Sequence, residues 1–290
     1  MRAAIGLLAT VVILGCLAVT GPGGANAPEP AKVSPPALAL VESSSVAVLA
    51  YFKAPAGTAA KIVSRLKEAE AKKGGLRYFV AEQGEESAYI CFIGSGTLLK
   101  DDHVLSVSHL FYDNAPELTG QTPVIWVLVK GLAQPIGADV VAVSPRVPES
   151  EIAVDDYAVL KLRTPLGRPG VRLASRPAPL GGPVLFCGNV KGTAFLLRRC
   201  YSTEVNQFFI RRADGKLHLT YLIDSEPLLT VFPAGPGDSG GGIFNARGEL
   251  VGVMYCGLSI ADTMYVFSNP ITKAREFLEK FGLGALAGGD

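Results

Sequence analysis

The chain has 290 residues, 49% of them hydrophobic, with 27 Lys and Arg set against 26 Asp and Glu. That composition supports a packed core and excludes a disordered chain, and the near-zero net charge gives no electrostatic reason to expect nucleic acid as a partner. Three histidines are present, His103, His109 and His218, so any imidazole chemistry must use one of them.

After Arg2 an uncharged apolar run extends from Ala3 to Gly21. It is at the short end for a membrane span and long for the apolar part of a secretory signal. Ala25-Asn26-Ala27 offers a small-x-small cleavage signal, although Pro28 is a poor residue after such a cut. Residues 1–27 are therefore expected to be a signal peptide or a membrane anchor. Either sends the following chain out of the cytoplasm, secreted or held at the membrane by this segment. The stretch 22–44 is rich in Pro, Gly and Ala and lacks a sustained period, so residues 28–44, beyond the possible cut, read as a linker. Residues 45–75 form an expected N-terminal extension. In it Ser45 to Phe52 suits a strand, Thr58 an N-cap, and Ile62, Val63, Leu66 and Ala69 a helix stopped by Gly74-Gly75.

From Leu76 the pattern changes to short strands: RYFVA, AYICFI, HVLSV, PVIWVLVK, DVVAVS and YAVLKL. After a break at RTPLGRPG they resume with PVLFCG, FFIRR, KLHLTYLI, GGIFN and LVGVMYC. Strands at this spacing, punctuated by Gly and Pro, predict an all-β sandwich or barrel. A helix closes the pattern at 270–281. Asn269 is its expected cap and Pro270 its first position, Ile271, Ala274, Leu278 and Phe281 line one face, and Gly282 ends it. Residues 283–290 are left as a tail. Five cysteines occur; without Cys16, the four others (Cys91, Cys187, Cys200 and Cys256) allow three disulfide pairings, with Cys187 and Cys200 able to meet across a hairpin, or stay as buried thiols. No Cys/His cluster has zinc spacing, so no metal site is expected.

Three motifs carry chemistry. Gly237-Asp238-Ser239-Gly240-Gly241 places a hydroxyl in a glycine-rich turn, where consecutive N–H groups can be aimed at one point. A serine hydroxyl is a weak nucleophile and needs both a base and a site for the oxyanion. Gly94-Ser95-Gly96 opens a strand, turn, strand pattern that gives out at His109, the best placed of the three histidines for general-base work. Asp155-Asp156 opens the apolar strand Tyr157 to Leu162, and a carboxylate at a strand start can hold an imidazole in one tautomer.

Taken together, these motifs resemble the chymotrypsin-like (trypsin-like) serine proteases, especially their bacterial and viral branches. The order His, Asp, Ser is that family's order, and the resemblance covers about Leu76 to Gly282. It implies two antiparallel six-stranded β-barrels, the first at about 76–165 and the second at about 180–269, followed by the C-terminal helix. It implies a Ser239, His109, Asp156 triad, with Asp156 favoured over Asp155, and an oxyanion hole from the Gly237 and Ser239 N–H groups. The base of the substrate pocket would be Pro233, with walls from Tyr255, Cys256, Gly257 and Thr263. None of these is charged, so an uncharged, small or apolar side chain is expected before the cut.

The implied function is a serine endopeptidase acting on protein or peptide substrates through an acyl-enzyme, without a cofactor. Departures from the family are that His109 is flanked by Ser108 and Leu110 rather than cysteine, and that neither an Ile-Val-Gly-Gly-like activation sequence nor a PDZ-like domain is seen. The alternative is a catalytically inactive, protease-like module that binds peptides. An α/β-hydrolase is disfavoured because the alternating α/β pattern expected around the nucleophile of that fold is missing.

Overall fold

The computed structural model describes residues 33–55, 57–73, 78–83, 88–111, 118, 120–145, 155–178, 183–190, 194–201, 208–211, 217–220, 228–231, 234–260 and 263–288. The apolar run 3–21 and the Ala25-Asn26-Ala27 site lie outside them, as does Pro233. No helix among the described residues is long and apolar enough to cross a membrane.

The protein is mostly β. Seven strands form the first sheet: β1 (Ser45–Lys53), β2 (Tyr78–Gln83), β3 (Ala88–Leu98), β4 (His103–Ser106), β5 (Val124–Val129), β6 (Ile136–Val143) and β7 (Ala158–Leu162). Their order is β1-β5-β6-β7-β4-β3-β2, and β1 also pairs with β3, which closes six of them into a barrel. The long strand β3 makes this possible. One edge pairs with β1 from Tyr89 to Thr97, while the other takes β2 at its start and β4 at its end. Ser45–Lys53, expected in an extension outside the barrel, is thus one of its staves. Its side chains are buried on both faces from Ser45 to Ala50, so it shows the continuous apolar run of a doubly covered strand.

The second sheet contains β8 (Pro183–Val190), β9 (Ala194–Tyr201), β12 (Leu228–Val231), β13 (Gly242–Phe244), β14 (Leu250–Ile260) and β15 (Thr263–Pro270), in the order β12-β15-β14-β13-β8-β9. Strands β10 (Phe208–Arg211) and β11 (Leu217–Thr220), which carries His218, form a separate hairpin. Val184, Phe186, Ile243, Val251, Met254 and Val266 build a small core on this sheet. The larger core fills the barrel and continues to Leu250, Phe267 and the C-terminal helix. Residues between the sheets stitch them together: Val171 donates to Leu98 O (3.0 Å) and Ala174 to Leu250 O (2.8 Å).

Among the described residues, three α-helices accompany the sheets. Helix α1 (Pro35–Ser44) falls inside the stretch read as linker. Ser34 accepts the Ala37 N–H at 3.4 Å and prolines occupy the first turn, a start signal that needs no long periodicity. Helix α2 (Ala59–Lys73) buries Ile62 and Leu66 against the barrel core. Helix α3 (Ile271–Lys280) buries Ile271, Ala274, Phe277 and Leu278, and Gly282 follows at φ +72°. Its cap differs from expectation. Pro270, not Asn269, holds the N-cap position without a side-chain bond, because the Asn269 amide is used elsewhere. Phe281, expected on the buried face, is 40% exposed.

Cys91, Cys187 and Cys256 are thiols, not disulfides. The hairpin of β8 and β9 sets Cys200 opposite Val184 and Cys187 opposite Leu197, so register keeps the suggested pair apart. Burial pushes the Cys91 thiol pKa up to about 12, which leaves it unreactive.

Candidate active site

Strand β4 gives out at Ser106, and Ser108–Leu110 form a single 3₁₀ turn that swings His109 out of the barrel wall. Leu110 anchors this turn by packing directly on Gly94 of β3, where any Cβ would overlap its side chain. Asp156 immediately precedes Tyr157 and β7, the strand paired with β4. The barrel register therefore brings the two residues together from 47 positions apart.

His109 Nδ1 lies 2.5 Å from Asp156 Oδ2. The other carboxylate oxygen accepts the Ser108 hydroxyl (2.6 Å) and the His109 backbone N–H (2.9 Å). Asp156 is 3% exposed, whereas Asp155 is exposed. An ionised carboxylate only accepts, so Nδ1 carries the proton and Nε2 is left as the acceptor. Burial works against both charges. For His109, desolvation lowers the pKa, but the charge and hydrogen bond of Asp156 more than offset it, and the value is raised above 6.5. For Asp156, burial raises the pKa, yet the His109 charge and the three donors bring it below 3.8. The pair is thus built to hold a proton on the imidazole over an ionised carboxylate.

Asp156 is itself held from behind. Asn269 Nδ2 donates to its backbone carbonyl at 2.9 Å, which explains the missing helix cap. Tyr157, fully buried, donates its hydroxyl to Pro270 O (2.9 Å) and stacks on Phe277 of α3. Its N–H meets Ser144 Oγ at 3.2 Å. The start of the C-terminal helix therefore braces a residue of the first barrel.

Ser239 lies half-buried in the loop between β12 and β13. Gly237 and Gly240 adopt φ +98° and +88°, the left-handed region open to glycine. At Gly240 a Cβ would also strike the Ser95 carbonyl. The loop is laced by backbone bonds: Asp238 N–H to Gly235 O (3.1 Å), Gly240 N–H to Met254 O (2.7 Å) and Gly241 N–H to Asp238 O (2.8 Å). Among the described residues, the N–H groups of Gly237 and Ser239 donate to no protein acceptor. The Asp238 side chain turns back to accept the Gly235 N–H at 2.9 Å.

The two halves meet on β3. Gly94 underlies Leu110, the neighbour of His109, and the next residue, Ser95, donates its N–H to Ser239 O at 2.7 Å. Adjacent residues of one strand thus support both motifs.

Of the expected pocket residues, Tyr255 is buried against Phe267, while Cys256 and Gly257 are exposed on β14. Thr263 starts β15 opposite Ile260. Tyr255 sits at a bulge where the β14–β15 register shifts. Up to Met254 the other edge of β14 is covered by β13 and by Gly240 and Gly241. From Cys256 onward that edge has no strand partner among the described residues. Among the described residues no three His, Cys, Asp or Glu side chains converge as a metal site would require.

The sequence marks Ser95 only as part of Gly94-Ser95-Gly96, Ser108 only as a neighbour of His109 and Asn269 only as a helix cap, and gives none of them a role at this site. Ser95 carried a usable signal, a lone hydroxyl between glycines where two backbones approach. Asn269 carried a misleading one, since Asn before Pro at a helix start reads as a cap.

The trypsin-like peptidase domain model matches residues 94–253, just over half of the chain. No curated protein matches. Among solved structures, the active form of the Rv3671c protease from M. tuberculosis is similar at 20% identity and a TM-score of 0.54, covering 93% of this chain and 95% of that one. Its inactive form is similar at 19% identity and a TM-score of 0.51, covering 88% of this chain and 99% of that one.

Proposed function

Because the chain belongs to the trypsin-like peptidase family within the chymotrypsin-like serine proteases, we propose that it is a serine endopeptidase with Ser239 as nucleophile, His109 as general base and Asp156 orienting the imidazole. The observation that carries this reading is the His109 Nδ1 to Asp156 Oδ2 contact of 2.5 Å, on a carboxylate otherwise held by Ser108 and the His109 N–H. That arrangement leaves Nε2 as the free base, the form a hydroxyl nucleophile needs.

In the proposed reaction, Ser239 Oγ attacks the peptide carbonyl as Nε2 takes its proton. The resulting imidazolium sits against ionised Asp156. The oxyanion is received by the N–H groups of Gly237 and Ser239. Nε2 then protonates the leaving amine, and a water activated by the same nitrogen releases the acyl group. Side chains and backbone supply every step, so no cofactor enters. An inactive peptide-binding module would have no use for a buried carboxylate aligned on an imidazole.

Substrate backbone is proposed to extend β14 along its open edge at Cys256 and Gly257, by strand addition. Pro233, Tyr255, Cys256, Gly257 and Thr263 would line the pocket, favouring an uncharged, small or apolar side chain before the cut. The second sheet is read as the second barrel, its edge strands β12 and β9 lying close together. The apolar run 3–21 is proposed as anchor or signal, with the peptidase outside the cytoplasm; protease accessibility in fractionated cells tests this.

Replacing Ser239 by Ala tests the core of the reading. The variant should keep the parent's melting temperature and lose cleavage of a peptide library. Cleavage by Ser239→Ala at the parent's rate would overturn the assignment.

A further inference from the structure

We propose that the Ser95 side chain is a positioning residue that holds the proposed oxyanion loop in register with the first barrel. The inference rests on the serine-peptidase reading of Ser239 and adds a residue to it.

Ser95 is 1% exposed and sits in mid-strand on β3. Its hydroxyl donates to Gly237 O at 2.7 Å and accepts the Asn189 N–H at 2.8 Å. Its own N–H donates to Ser239 O at 2.7 Å. Its carbonyl accepts the Ser106 hydroxyl at 2.7 Å, which ties it to β4 near the His109 turn. One residue thus joins β3, β4, β8 and the loop of Ser239.

The geometry shows what this does. The two carbonyls gripped by Ser95 belong to the peptides 237–238 and 239–240. Their N–H groups are also engaged, Asp238 with Gly235 O and Gly240 with Met254 O. Planar peptides pinned at both ends do not rotate. The 238–239 peptide between them carries the Ser239 N–H, and its carbonyl accepts from Gly241, so it too is fixed. Gly237, at φ +98°, has the greatest freedom to leave this conformation, and the Ser95 hydroxyl is the side-chain bond on its carbonyl. Without that bond the Gly237 N–H would wander from the point where the oxyanion develops. Catalysis by such donors depends on their being in place before the charge forms.

The test is Ser95→Ala, with rates normalised to active sites titrated by a covalent serine reagent. Complete loss of one oxyanion donor costs about 10²–10³ in kcat. A loosened donor should therefore lower kcat per titrated site by about 10- to 100-fold, with KM within about twofold. Affinity for a peptide boronic acid, whose adduct mimics the oxyanion, should fall in proportion, while affinity for the product peptide holds. The pH midpoint should stay at the parent's value, because His109 and Asp156 are untouched. Ser95→Cys keeps a weaker donor at the same place, is expected between the two, and serves if Ser95→Ala does not fold. Parent kcat per titrated site, or a rise in KM alone, would overturn the positioning role. If Ser239→Ala still cleaves, the serine-peptidase reading itself fails; if Ser239→Ala is dead and the Ser95 variants match the parent, only this inference fails.

Discussion

The two halves of the site are held by different kinds of bond. Around Asp156 the restraints come from side chains: Ser108 and His109 in front, Asn269 behind, and Tyr157 braced on α3. Around Ser239 they are mostly backbone bonds within a glycine-rich loop, with Ser95 reaching in from the barrel. The first half sets a charge and a proton position, so it answers to chemical substitution and pH. The second sets the direction of N–H groups, so it answers to backbone freedom.

Asp156→Asn should give the largest effect on the first half. It should lower turnover by about 10⁴-fold with the fold retained, as loss of the orienting carboxylate does in a Ser-His-Asp enzyme. The same change at exposed Asp155 should alter kcat less than twofold, and the reverse ranking would reassign the carboxylate. On the second half, Gly240→Ala forces a Cβ into the Ser95 carbonyl at φ +88°. It should lower kcat by more than about 100-fold, as displacing an oxyanion donor would, while the pH midpoint of any residual activity stays put. A shifted midpoint in Gly240→Ala would mean the two halves are not separable.

The pH profile sharpens the contrast. A base must be neutral, so kcat/KM should fall on acidification through the His109 pKa, which lies above 6.5 because of Asp156. In Asp156→Asn the raising charge is gone and burial lowers the value, so residual activity should persist to lower pH than in the parent. The linkage to stability has two signs. The raised His109 pKa contributes stability below 6.5 that is lost as pH climbs through the folded value. The lowered Asp156 pKa contributes stability above 3.8 that is lost as pH falls through its folded value. The pair should therefore be most stabilising between those limits, which a series of melting curves across pH will show. Among the changes aimed at the site's own bonds, Asn269→Ala should act most mildly, since it removes one buried bond to the Asp156 carbonyl. It should destabilise the protein by about 1–3 kcal/mol and lower kcat by no more than about tenfold.

The sequence was most legible where chemistry needs particular residue types at particular spacings. The glycines around Ser239 mark a turn that passes through the left-handed region at Gly237 and Gly240, and the acidic pair before Tyr157 includes the carboxylate that meets His109. The all-β pattern and the terminal helix were also readable from periodicity. What stayed hidden depends on pairing across long separations. Ser45–Lys53 looks like any buried apolar run, and only its partners at Tyr89–Thr97 and Val124–Val129 make it a barrel stave. Asn269 read as a helix cap because its partner, Asp156, is 113 residues away. Cys187 and Cys200 looked pairable until the hairpin register separated them.

The central claim, that Ser239 is the nucleophile activated by His109, is tested most directly by covalent labelling. The intact protein is treated with a small serine-directed fluorophosphonate and the modified residue is located by peptide mass spectrometry. The parent should gain one adduct, on Ser239, with loss of peptidase activity in step. His109→Ala should label far more slowly, and Ser239→Ala not at all. A protein that cleaves peptides yet takes no adduct at Ser239, or labels equally fast without His109, would contradict the account.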